Sequence, residues 1–359
     1  MLGKRRGAAV LATIAAAAAL LFVFTLLDLS WAGSTHLSLT EVWDSLWGNG
    51  TWANDIIVNG QNMPRIATGI CVGSGLAVTG GVMQAVFRNP LATPYILGLS
   101  SGASLGAAVA ILLSAAVLQP LLAFAFCFGT MLLVYAISRS GGSNVRTETL
   151  VLAGVAVSSL ISAVVSFLTY IAPSEKMGSI VFWTLGSLSG TDWGEIAVIA
   201  PITAAGILMM AARPRSLNAM MLGDAHAMDL GVDVKRTRLF LLAVSSLTVA
   251  ACVCFVGTIG FVGLVIPHIA RLLLGPDNRV VLPVSAVGGA AFAIMCDYIA
   301  HFAAPYYGVL PIGVVTALIG APFFIYLLCS RKKEVGWRAE ASGRTAWSTP
   351  TGTRRCSKA

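Results

Sequence analysis

Long apolar runs separated by short polar connectors constrain the fold of this chain more than any other feature. The runs cover residues 7–27, 65–87, 95–117, 119–137, 149–171, 194–212, 239–257, 260–274, 281–303 and 310–329. A helix that crosses a bilayer needs about 20 apolar residues. The stretch 239–274 is too long for one crossing, and Gly257, Gly260, Gly263 and Pro267 offer breaks within it. We therefore predict an all-α membrane protein with about ten transmembrane helices.

The positions of lysine and arginine predict how these helices are oriented. With ten crossings both termini lie on one side of the membrane, and that side collects all basic residues except Arg65 and Lys176. Connectors rich in Lys and Arg stay in the cytoplasm. We therefore expect a multi-pass protein with both termini in the cytoplasm. Lys4, Arg5 and Arg6 before the first run resemble the start of a signal peptide, but that apolar run has about 20 residues, more than the usual length of about 7–15, so we predict a first membrane helix.

Composition excludes several classes of function. Only 11% of the residues are charged and 57% are hydrophobic, whereas a soluble domain carries about 25% charged residues. Lipid must therefore surround most of the chain. The net charge of +8 does not indicate nucleic-acid binding, because the basic residues lie in connectors and in the tail rather than on one face.

Residues suited to catalysis or metal binding are sparse. The seven cysteines form no CxxC motif and no cluster with histidine, so we expect no disulfide framework, no metal and no cofactor. A phosphate-binding GxxxxGK[ST] loop is missing from the sequence. We therefore expect that this chain is not an enzyme, and that any ATP hydrolysis takes place on another subunit.

The connector 213–238 is the most informative polar segment. Asp224 is suited to an N-cap and Gly231 to a C-terminal cap, which predicts a short helix between them. Ala225, Met228 and Leu230 would be available for contact with a soluble partner. A solvated connector without a partner remains the alternative at this point.

Several strings resemble the FecCD-type permease family, which imports iron–siderophores, haem and cobalamin. They appear in the family's order over about residues 35–330: Pro64-Arg65, GGVMQAVFRNPLATPYILGLSSGASLG from Gly80, Leu152 to Val155, Trp183 to Leu188, residues 222–232, GTIGFVGLVIPHIARLLLG from Gly257, and PIGVVTALIGAPFFIYLL from Pro311. The resemblance implies a permease domain over residues 1–333 in the bacterial cytoplasmic (inner) membrane, followed by a polar, disordered tail at 334–359.

The resemblance also implies partners and site residues. The partners are two ATP-binding subunits, a second permease (a homodimer is expected) and an extracytoplasmic substrate-binding protein. The family's coupling helix, which fits a groove in the ATPase, corresponds to Leu222, Gly223, Asp224, Ala225, His226, Met228, Leu230 and Gly231. Thr147 and Glu148 match the region that closes the cytoplasmic end of the pathway.

This chain differs from the family at residues that, in the family, contact the substrate-binding protein. The family often has Arg-Leu-Pro-Arg before the second span and an arginine four residues after Asp297, but this chain has only Arg65 at the first place and His301 at the second. We expect Arg65 and a protonated His301 to contact acidic residues of the binding protein.

Two other functions remain to be weighed. An ion-coupled secondary transporter predicts charge pairs inside the membrane and inverted repeats with broken helices. A membrane-embedded enzyme needs convergent catalytic groups, which His268 alone does not supply. Binding of an ATPase to the helix at 222–232 distinguishes the importer from both.

Overall fold

A computed structural model describes residues 2–32, 35–140 and 147–343 of the chain. This part is almost entirely helical. Its helices are α1 Leu2–Ser30, α2 Leu39–Leu46, α3 Trp52–Asp55, α4 Met63–Val86, α5 Leu99–Leu112, α6 Gln119–Ser140, α7 Thr147–Ile171, α8 Ser174–Leu185, α9 Trp193–Ala211, α10 Pro214–Met221, α11 Asp224–Asp229, α12 Val234–Val256, α13 Val262–Leu274, α14 Asn278–Phe302, α15 Ala304–Tyr307 and α16 Ile312–Gly343. Two-residue strands, β1 Trp31–Ala32 and β2 Thr35–His36, pair antiparallel.

The described residues fit a multi-pass membrane protein. Seven of their helices are long and apolar enough to cross a membrane, and three shorter apolar helices lie at Leu99–Leu112, Val262–Leu274 and Ile312–Tyr326. These ten helices fall on the ten apolar runs of the sequence. The number of crossings and the side on which the termini lie stay predictions.

The predicted division of the stretch 239–274 is confirmed. α12 ends at Val256, and Gly257 follows with a φ of +74°, a conformation that glycine adopts without a steric penalty. Phe261 then precedes the first residue of α13. Pro267 lies inside α13 and does not end it.

The described residues between α1 and α4 contain further regular structure. They form α2, α3 and a π-helical turn, Ile56–Asn62, that runs into α4. Ser38 and Glu41 form a capping box at the start of α2. A further short helix, α8, lies between α7 and α9.

The helix α4 is the centre of the first compact unit, Met1–Ala317. It contacts α9, α12, α13 and α14, and most of its residues are buried. Glycine permits the closest approaches: a Cβ at Gly73 would collide with the carbonyl of Gly289, and a Cβ at Gly80 would collide with the backbone of Gly263. Small residues at such positions allow helices to pack closely in lipid.

The second unit is Leu318–Ala359. The structure describes its residues up to Gly343 as the continuation of α16. The tail predicted for residues 334–359 therefore begins within a helix, and residues 344–359 lie outside the described part.

Candidate functional sites at the two ends of the central helix

One candidate site is the short helix α11, in the connector between α9 and α12. It runs from Asp224 to Asp229, and Gly231 follows with a φ of +79°. The N–H of Gly231 donates to the carbonyl of Met228, and the N–H of Val232 donates to the carbonyl of Ala227, both at 2.9 Å. These two bonds are a Schellman motif, which confirms Gly231 as the C-terminal cap.

The prediction that Asp224 is the N-cap is wrong. Gly223 occupies the N-cap, and Asp224 is the first residue of the helix. Its carboxylate accepts two hydrogen bonds from Arg238, at 2.9 and 2.8 Å, and lies 3.5 Å from an Arg88 guanidinium nitrogen. Asp224 therefore bonds to arginines elsewhere in the fold instead of to its own helix.

The outer surface of α11 is apolar and open. Leu222 is 67% exposed, Met228 is 60% exposed and Leu230 is 65% exposed, whereas Ala227 is fully buried beneath them. Ala225 and His226 are exposed as well. Three large, exposed apolar side chains around one short ordered helix form a surface suited to contact with a protein partner.

The segment before α11 is anchored independently. The side-chain amide of Asn218, on α10, donates to Asp277 at 2.7 Å, and its oxygen accepts from the backbone and side chain of Asn278. Arg271 in turn donates to Asn278 at 2.9 Å and to the carbonyl of Gly81 in α4 at 2.8 Å. α10 is thus connected to α13, α14 and α4 by polar contacts.

A buried charge cluster lies at the opposite end of α4. Arg65 donates to an Asp28 carboxylate oxygen at 3.0 Å, and its Nε lies 2.9 Å from Asp297. His301 Nδ1 is 3.6 Å from the other Asp297 oxygen, and its Nε2 is 3.4 Å from the Ser189 hydroxyl. Both aspartates, the arginine and the histidine are at most 6% exposed. The cluster therefore joins α1, α4 and α14.

Asp28, Asp297 and His301 have ligand atoms within 4.8 Å of one another, as a metal site would require. The guanidinium of Arg65 already lies within 3.0 Å of both carboxylates. It occupies the place of a cation between them, so the geometry favours an internal ion cluster over a metal centre.

The predicted docking role of Arg65 and His301 stays a prediction. In the single chain both side chains are buried, and Arg65 already pairs with two carboxylates. Its two carboxylate partners, Asp28 and Asp297, are at most 1% exposed. No local pattern could reveal this pairing, because 37 residues separate Asp28 from Arg65.

Thr147 and Glu148 stand at the start of α7. Thr147 is half-buried and Glu148 is exposed, and an acidic residue in a first turn stabilises a helix through its dipole. Residues 141–146 lie outside the described part, so the gate predicted here stays a prediction.

Comparison with known proteins identifies the family. The model of the FecCD transport family matches residues 9–330. A cobalamin import system permease protein, BtuC, of Halobacterium salinarum is 45% identical over 77% of this chain and 74% of its own length. A hemin transport system permease protein, HmuU, of Yersinia pestis is 35% identical over 84% of this chain and 91% of its own length.

A solved structure agrees with these matches. It is an ABC transporter described as being of metal-chelate type, in an inward-facing conformation; it has a TM-score of 0.77 and 32% sequence identity. The alignment covers 88% of this chain and 98% of that one. The chain belongs to the FecCD transport family.

Proposed function

We propose that this chain is the permease subunit of a binding-protein-dependent ABC importer. Its substrate is an iron chelate (a siderophore complex or haem) or cobalamin, and its energy comes from a partner ATPase. The observation that carries this proposal is the exposed apolar surface of α11, in a chain whose family and relatives are import permeases.

The proposed mechanism is conformational. ATP binding draws two ATP-binding subunits together beneath the membrane, and α11, inserted in a groove of one subunit, moves with it. A second copy of this chain completes the pathway, so that a dimer alternates between outward-facing and inward-facing states. Thr147 and Glu148 would close the cytoplasmic end of that pathway.

The apolar surface of α7 supports a second permease subunit. Leu152 is 71% exposed, Phe167 is 61% exposed and Tyr170 is 85% exposed, so this helix has a broad face free for lipid or for another membrane helix. Thr147 and Glu148 are the first two residues of the same helix. A dimer interface along α7 would place the proposed gate beside the substrate path.

The identity of the substrate is the most specific part of the proposal. Cobalamin is the first substrate to test, because the relative that is 45% identical is a cobalamin permease. Haem is the second, since a hemin permease is 35% identical over most of both chains. An extracytoplasmic binding protein would deliver either one, and the cytoplasmic membrane of a prokaryotic cell is the proposed location.

Co-purification tests the proposal. The tagged chain is co-expressed with candidate ATP-binding subunits, either unchanged or with Ala225→Arg and Met228→Glu together. We expect a stable complex that the double substitution abolishes, because two charges would have to be buried in the contact. Leu39→Glu is the matched control, since Leu39 is 61% exposed on α2, far along the chain from α11.

A secondary transporter remains a second candidate because of one observation. The buried ion cluster of Asp28, Arg65 and Asp297 lies within helices that are long and apolar enough to cross a membrane, and ionisable groups in such helices often mark ion pathways. If no ATPase binds α11 and uptake follows an imposed ion gradient, this candidate replaces the importer.

A further inference from the structure

Asp224 lies where three parts of the fold meet. It is on α11, Arg238 is on α12, and Arg88 follows the last turn of α4. We call these three side chains the ionic joint. We propose that Asp224 is a positioning residue, and that the ionic joint makes α11 move as one unit with the ends of α4 and α12. This inference rests on the proposed function, because it concerns how the partner's motion reaches the membrane helices.

The strongest contact of the joint is partly shielded from water. The Arg238 side chain is 9% exposed, and both of its bonds to Asp224 come from Nη2, at 2.9 and 2.8 Å. Hydrogen bonds between charged groups at this distance are stronger than neutral ones. Asp224 is therefore held firmly on the side that faces the core.

Arg88 provides the second contact of the ionic joint. Its backbone has a positive φ, which is unusual for a residue other than glycine. Arg88 has a φ of +49°, a conformation in which a residue with a Cβ is strained and glycine is not. Its N–H donates to the carbonyl of Ala85, and the N–H of Asn89 donates to the carbonyl of Gln84, so Arg88 occupies the left-handed position of a Schellman cap. An arginine at a glycine position is explained if its side chain is needed, and it lies 3.5 Å from Asp224.

The joint reaches α4, a helix whose residues are mostly buried. α4 contacts α9, α12, α13 and α14, so a displacement of its end acts on all four. α11 has its own apolar surface for a partner and only one described residue, Ala227, buried beneath it within Asp224–Asp229. Apolar packing alone therefore attaches α11 only weakly to the core. The ion pairs of the ionic joint fix its position relative to α4 and α12.

Distance measurement between two spin labels tests the joint on the full chain. Labels are placed on cysteines introduced at Asp229, the last residue of α11, and at Leu91, which is 44% exposed in the connection after α4. Cys71, Cys329 and Cys356 are replaced by serine beforehand, because Cys71 is a half-buried free thiol and Cys329 is an exposed one. We expect one narrow distance distribution that keeps its mean when ATP-binding subunits and a non-hydrolysable ATP analogue are added.

Two substitutions are expected to free α11. Asp224→Asn removes the charge and keeps the side-chain shape, and Arg88→Gly removes one partner while it relieves the positive φ. Each should broaden the distribution at least about twofold, and Asp224→Glu should restore most of the narrow width. Arg236→Gln is the control, because Arg236 is on α12 but pairs with Asp233, three residues away, and its side chain is 90% exposed.

The width of the distribution decides whether the joint exists. Wild-type width in both Asp224→Asn and Arg88→Gly would overturn the proposal, and so would equal broadening by Arg236→Gln. Because the width is measured first on the chain alone, it tests the joint even if no ATP-binding subunit associates. Failure of that association would count against the proposed function instead.

Discussion

Removal of the Arg65 guanidinium is the perturbation to which the buried cluster should respond most strongly. Arg65→Gln leaves the carboxylates of Asp28 and Asp297 together without their cation, and both are at most 1% exposed. Removal of one partner from a buried ion pair costs about 3–5 kcal/mol of stability, because the remaining charge is uncompensated. We expect a loss of this size in the free energy of unfolding, measured by denaturant titration of the purified protein in mixed micelles.

Two comparisons make that experiment specific. Arg236→Gln removes an arginine from an exposed pair and should cost at most about 1 kcal/mol. The triple change Asp28→Asn, Arg65→Met and Asp297→Asn should recover much of the loss, because no buried charge is left unpaired. Equal, small losses for Arg65→Gln and Arg236→Gln would refute the reasoning. If Arg65→Gln instead weakened binding of the substrate-binding protein, the docking role predicted from the sequence would be favoured.

Three further predictions follow from local geometry. Ser38 donates to the Glu41 carboxylate through its backbone N–H and its hydroxyl and so lowers the pKa of Glu41; the cap's contribution to α2 is present above the usual glutamate pKa and is lost as pH falls through the lowered one. NMR titration should show a smaller shift in Ser38→Ala, because that change removes the hydroxyl bond and keeps the backbone bond. Gly80→Val should prevent stable folding, seen as loss of the monodisperse peak in size-exclusion chromatography, because any side chain there collides with the backbone of Gly263. Gly231→Ala should cost about 1–2 kcal/mol locally and should speed hydrogen exchange in α11, since Gly231 has a φ of +79°.

The helices were predictable because lipid imposes a strong local pattern. Apolar runs of sufficient length, and glycines such as Gly257 that end a run, are legible from the sequence alone. The length of α5 was not: the run 95–117 predicted a longer helix, but the regular part is only Leu99–Leu112, with a positive φ at Ser114 just after it. The apolar run continues past the end of α5, so the hydropathy of the sequence could not locate the end of this helix.

The candidate sites were predictable only in part, for a different reason. α11 and its glycine cap follow from a local motif, and so does the exposure of Met228 and Leu230. The ion pairs do not, because Asp224 with Arg88 and Arg65 with Asp297 join residues distant in sequence. The partner of a charged residue depends on how whole helices pack together. That packing cannot be inferred from a single sequence.

Energised uptake into proteoliposomes tests the central claim most directly. The chain is reconstituted with the ATP-binding subunits that co-purify with it, and labelled cobalamin or haem is supplied with its binding protein. The importer account predicts uptake that requires ATP on the side of the ATP-binding subunits, persists when ion gradients are collapsed, and is lost in the Ala225→Arg, Met228→Glu variant. Uptake by the chain alone that follows an imposed ion gradient, without ATP, would contradict it.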